Sequence, residues 1–131
     1  MHPRRAILDA IRTALAASTS PALPVYEEDE TAQVVPCWLI AVGLERRGER
    51  TSKRSYHRQN SVSVTALGTS RTERDALSEA LELALLGASV PGVLEIEWLE
   101  VELETPRDEA GERVYPASYR LMVDHFSPRA A

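Results

Sequence analysis

Between Glu95 and Glu104 the sequence reads EIEWLEVELE, and its alternation breaks in the middle. Ile96 and Trp98 stand at even positions, whereas Leu99, Val101 and Leu103 stand at odd ones. The carboxylates change step at the same point, from Glu95 and Glu97 to Glu100, Glu102 and Glu104. Strand side chains alternate strictly between two faces. A regular strand would therefore set Leu99, Val101 and Leu103 among the glutamates that flank Ile96. The run predicts one extra residue, a β-bulge or sharp bend, at Trp98–Leu99.

The remaining elements can be read from period and punctuation. Pro3 can open a helix, where its missing N–H costs nothing. Ile7, Ile11 and Leu15, with Ala10 and Ala14, form an apolar stripe at helical spacing, which Ser18-Thr19-Ser20-Pro21 ends. Leu23 to Tyr26 reads as a short edge strand, and Glu27-Glu28-Asp29-Glu30 as a solvated acidic loop. After Pro36, the strand residues Trp38, Ile40, Val42 and Leu44 share one face, and Leu39, Ala41 and Gly43 the other. From Gln59 to Leu67, Val62, Val64 and Ala66 alternate with Ser61, Ser63 and Thr65, the pattern of a half-exposed antiparallel strand.

Ser70-Arg71-Thr72-Glu73 fits a capping box, in which the Ser70 hydroxyl accepts from the Glu73 N–H and Glu73 reaches back. Ala76, Leu77, Ala80, Leu81, Ala84 and Leu85 then make the buried stripe of a second helix. Gly87 supplies its left-handed C-terminal residue, and Pro91 prevents resumption. Thr105 to Gly111 reads as a turn. The last strand runs from Arg113 to Phe126 before a frayed tail, with Tyr115, Ala117, Tyr119, Leu121 and Val123 on one face. Ser118, Arg120 and Asp124 take the other face, and Arg113 and Arg120 are placed to meet the preceding glutamates. The sum is an α+β fold: an antiparallel or mixed sheet of four to five strands, built from two long hairpins, with two helices packed on one face.

A chain of 131 residues suits one domain, 1–131, and can bury a core without staples. The N-terminal run MHPRRAILDAIRTALAAS is interrupted by Asp9 and Arg12, which favours an amphipathic helix over a signal peptide. No stretch of about eighteen apolar residues occurs, so no membrane partner is expected. A lone cysteine, Cys37, makes no internal disulfide and reads as a buried, inert thiol beside Trp38.

Charge is distributed unevenly along the chain. Arg46 to Arg58 reads RRGERTSKRSYHR, with six of the fifteen Lys/Arg and one acid, Glu49. That segment carries +5 in a chain of net charge −5, which leaves −10 for the rest. It reads as the extended tip of the first hairpin. A run of this kind is commonly a solvated loop without a partner. Two arms of that length would nonetheless project about 20 Å, and loops of this size are usually functional or disordered. The candidate interface residues are Arg46, Arg47, Arg50, Lys53, Arg54 and Arg58. The complementary acidic strand carries Glu95, Glu97, Glu100, Glu102 and Glu104, whose plainest reading is a solubilising face.

Signals for chemistry are weak. His2, His57 and His125 lie in three separate elements without a Cys or acid at ligand spacing, so no metal is expected. No Gly-rich loop with Lys-Ser/Thr precedes a helix, and no cofactor is expected. Nothing local activates Cys37 as a nucleophile. An acidic chain with one Phe, two Trp and four Tyr offers no basic, aromatic platform for single-stranded nucleic acid. The chain does not read as an enzyme.

The order and lengths of these elements resemble the tail-terminator proteins of long-tailed bacteriophages, the family of minor tail protein U. The matching features are the opening helix Arg5–Leu15, the Pro36–Ile40 strand, the charged hairpin Arg46–Arg58, the helix Arg74–Leu86 and the closing strand Tyr119–Phe126. The resemblance spans nearly the whole chain and implies a structural virion protein at the tail–neck junction, assembled in the host cytoplasm. It implies a hexameric ring that caps the tail tube (major tail) protein at its head-proximal end, stops its polymerisation and docks the head–tail connector or stopper. Genome DNA would pass through the ring without sequence-specific binding. A head-completion or connector-docking neck protein, and a small protein- or RNA-binding α+β domain, are the alternatives.

Overall fold

The computed structural model describes residues 3–27, 30–32, 34–50, 55–86 and 95–128. The elements are α1 (Pro3–Ser18), β1 (Val25–Glu27), β2 (Cys37–Arg50), β3 (Ser55–Gly68), α2 (Arg71–Leu86), β4 (Glu95–Leu103), β5 (Arg107–Glu109) and β6 (Glu112–Pro128). The strands run in the order β1-β2-β3-β6-β4, with β5 paired to one end of β6. All pairings are antiparallel except β1 with β2, so the sheet is mixed. The expected α+β architecture is what the chain adopts.

Both helices bury their apolar stripes on the same face of the sheet. Ile7, Ile11 and Leu15 of α1 and Leu77, Leu81 and Leu85 of α2 enclose Trp38, Ile40, Val62, Val64, Ala66, Tyr119, Leu121 and Val123. Truncating one such leucine to alanine is worth about 2–5 kcal/mol, because a transfer term and a cavity term add. The stripe of α2 differs from expectation at one end: Ala76 is exposed, and Arg74, at 13% side-chain exposure, lies inward.

The start of α2 is capped as its residue types predict, with one change of partner. The Glu73 N–H donates to Ser70 Oγ at 3.1 Å. The Glu73 carboxylate accepts from the Thr69 N–H at 2.7 Å and the Thr69 hydroxyl at 2.8 Å, one residue further back than a capping box requires. Gly87 and Pro91, expected to end this helix, lie outside the described residues.

Several expectations are corrected. The segment 105–111 is more than a turn, because Arg107–Glu109 forms β5 and pairs with Glu112–Val114. Among the described residues this makes six strands. Arg113 therefore stands opposite Asp108, not opposite the glutamates of β4. Ser127 and Pro128 pair with Tyr56 and Ser55, so β6 continues where a frayed tail was expected. The opposite face of the sheet is also not open throughout. Ala32, Cys37, Leu67 and Val114 form a second small core there, against Tyr26, Val35 and Leu39. Thr65 is consequently buried, and its hydroxyl meets that of Ser118 at 2.9 Å.

Candidate functional site

The acidic run forms β4, which among the described residues pairs with β6 on one side only. Its register steps from Trp98↔Leu121 to Glu100↔Arg120, so Leu99 is the extra residue that the parity change predicts. The bulge has a definite consequence for the faces. Ile96 and Trp98 stand opposite Val123 and Leu121, and after the bulge Val101 and Leu103 stand opposite Tyr119 and Ala117, all core positions. Glu97, Glu100 and Glu102 are thereby gathered on the other face, opposite Met122, Arg120 and Ser118, and all three are exposed.

These carboxylates are not equivalent. Glu100 Oε1 lies 3.1 Å from Arg120 Nη2, an exposed pair worth at most about 1 kcal/mol. Glu104 lies just past the strand, where its carboxylate accepts from Arg107 at 3.2 Å and its N–H donates to the Pro116 carbonyl at 3.2 Å. Glu104 thus belongs to the turn rather than to the acidic face. Among the described residues no cation is paired with Glu97 or Glu102. The backbone of Glu95 stands opposite Asp124, a further acid.

The described parts of the basic segment, 46–50 and 55–58, extend two paired strands. Arg46 pairs in register with Gln59, Arg47 with Arg58, and Arg50 with Tyr56. Lys53 and Arg54 lie outside the described residues, as do the side chains of the four arginines. The register is itself informative: Arg47 and Arg58 stand directly opposite each other, and like charges so placed destabilise a ladder unless an anion relieves them. Two register shifts, between Val42 and Glu45 and between Arg47 and Arg50, bend this end of the hairpin.

The sheet does not bring the two charged features together within one copy. Arg46 pairs with Gln59, Gln59 with Asp124, and Asp124 with Glu95, so one continuous row links basic hairpin to acidic strand. Three strand spacings, about 14 Å, separate its ends. The charges sit toward opposite edges of one sheet. Sequence reasoning missed one component of the acidic edge: Val101 and Leu103 are 38% and 59% exposed, although they stand on the helix-covered face. The helices stop short of that corner.

Cys37 is not set up as a nucleophile. It is fully buried, and burial, aided by the charge of Glu109, pushes its thiol up to about 11. Among the described residues no three His, Cys, Asp or Glu side chains are grouped as metal ligands. No helix among them is long and apolar enough to cross a membrane.

No protein-family model matches the chain, and no curated protein matches it. Among solved structures, a chain of the virion of a native gene transfer agent particle is similar in fold, with a TM-score of 0.54. The two chains share 16% sequence identity over 88% of this chain and 92% of the other.

Proposed function

We propose that this protein is a structural component of a phage-type virion, and that it caps the head-proximal end of a tail tube as a ring. In that position it stops tube polymerisation and presents the surface on which the head connector docks. It makes and breaks no bond. The observation that carries the reading is likeness of fold, over most of both chains, to a component of a phage-like particle. The resemblance of element order to the tail-terminator family points the same way.

The charge layout suits a ring. Head-to-tail closure needs two different patches on each subunit that fit each other. A segment of charge +5 toward one sheet edge and a glutamate strand at the other are such a pair. Their attraction would be long-ranged at low salt and screened at high salt.

The direct test adds purified protein to polymerising tube subunits and measures tube length by electron microscopy. Capped tubes of limited length support the reading. Tubes that grow without limit and carry no added density at either end overturn it. Reversing Arg50, Lys53 and Arg54 to Glu is expected to abolish capping while leaving the monomer folded. The same likeness of fold also fits another neck component, which would bind the portal-side ring and leave tube growth unchanged.

A further inference from the structure

Among the described residues, β4 and the distal part of β2 are both free sheet edges. Among the described residues no strand flanks β4 on the side away from β6. β1 flanks β2 only from Trp38 to Ile40, so Ala41 to Arg50 has no strand on its outer side among the described residues. β4 is nine residues long, and the free part of β2 is of similar length. An edge of this kind presents unpaired N–H and C=O groups and is a template for another chain. β4 contains no proline and exposes Val101 and Leu103 at its rim. Among the described residues, the bulge at Leu99 and the glutamates guard it.

Those glutamates select the partner. Two β4 strands side by side would set carboxylates against carboxylates, which destabilises the ladder. The basic hairpin is the oppositely charged edge of the same molecule. Strand direction agrees. β4 is antiparallel to β6, β6 to β3, and β3 to β2, so β4 runs opposite to β2. Copies that share one orientation around a ring therefore bring β4 and β2 together as antiparallel neighbours, with no inversion of a subunit.

We infer that β4 of one copy adds as an antiparallel strand to the outer edge of β2, residues 41–50, in the next copy. The sheets of the ring then join main chain to main chain, and Val101 and Leu103 are covered at the seam. The inference rests on the ring reading above and names the contact by which the ring closes.

Hydrogen exchange on capped tubes tests it. Amides of 96–103 and of 41–47 are both expected to exchange about tenfold or more slowly than in the free protein. A second arm uses Glu97→Lys, Glu100→Lys and Glu102→Lys in one chain, and Arg46→Glu, Arg47→Glu and Arg50→Glu in another, each checked for native circular dichroism. Each chain alone is expected to fail at capping, and an equal mixture to cap, because an alternating ring restores every charge pair. Capped tubes in which either edge exchanges as in the free protein overturn the inference and leave the ring reading standing. So does failure of the mixture. Protection of β4 alone places a tube-protein strand or a second β4 there, and again overturns it. Wild-type protein that never caps tubes overturns both.

Discussion

Glu100 and Arg120 stand directly opposite each other across β4 and β6, their charged atoms 3.1 Å apart, because Leu99 is left out of the ladder. Removing Leu99 makes Trp98 and Glu100 consecutive, as Leu121 and Arg120 already are. The faces of the strand then remain as they were. Deleting Val101 instead throws the flanking residues out of step and carries a glutamate to the core side. The Leu99 deletion is expected to cost less than about 1 kcal/mol, and the Val101 deletion at least about 2 kcal/mol. Urea denaturation of the two variants checks this. Equal losses, or the reverse order, would show that the extra residue lies elsewhere.

Gly68 closes β3 where the chain turns into α2. A Cβ there would lie 2.6 Å from the Arg74 nitrogen and 2.9 Å from its Cα, backbone atoms that cannot swing aside. Gly68→Ala is expected to cost about 1–3 kcal/mol by forcing the helix off the sheet. Gly43 is the internal control. Its nearest neighbour would be the Ser61 carbonyl oxygen at 3.6 Å, an ordinary contact, so Gly43→Ala should change stability by less than about 0.5 kcal/mol. Thermal unfolding of both variants separates close approach from a general intolerance of alanine.

These two sites mark what sequence can and cannot disclose. The Leu99 bulge was legible because strand alternation is a local rule and its violation shows in ten residues. The Ser70–Glu73 cap was legible for the same reason, although the Glu73 partner is settled by Thr69. The closeness of Gly68 to Arg74 was not legible, since it depends on how a strand end meets a helix. The parallel pairing of β1 and the second core around Cys37 were hidden likewise, because each rests on contacts between segments apart in sequence. The three-residue β5 is local, but Arg107-Asp108-Glu109 carries no alternation to mark it as a strand. The candidate site divides in the same way. Its charge segregation is written along the chain. That β6 sits inside and leaves β4 on the edge is not, since either strand of the second hairpin satisfies the same alternation.

The β5–β6 turn carries a residue that its conformation does not suit. Ala110 has φ of 50° and Gly111 of 78°, between the paired residues Glu109 and Glu112. Both central residues of this two-residue hairpin turn are left-handed, which a β-carbon without a polar side chain disfavours. Ala110→Asn keeps the turn and relieves that conflict, and is expected to raise stability by about 0.5–1 kcal/mol. Gly111→Ala is expected to lower it by about 1 kcal/mol, although nothing lies within 4 Å of the new carbon. If Gly111→Ala proves neutral, the turn is of another type.

Glu27 ties the edge strand β1 to α1. Its carboxylate pairs with Arg5, lies 3.6 Å from Arg12 Nη2, and sits beside Arg12 Nη1 donating to the Val25 carbonyl at 2.9 Å. The guanidinium of Arg5 against it holds Glu27 below the usual glutamate range, and Arg12 adds to this. The sign follows from linkage. A depressed acid stabilises the fold fully above its unfolded value of about 4.3, and the stabilisation is lost as pH falls through the lower folded value. Arg5 is 41% exposed, so water screens the pair and the effect is modest. Wild type is expected to exceed Glu27→Gln in urea midpoint at neutral pH, and the gap to close as acidification protonates Glu27. High salt should shrink the same gap at neutral pH. A gap that stays constant across both titrations would mean that Glu27 holds β1 by packing rather than by charge.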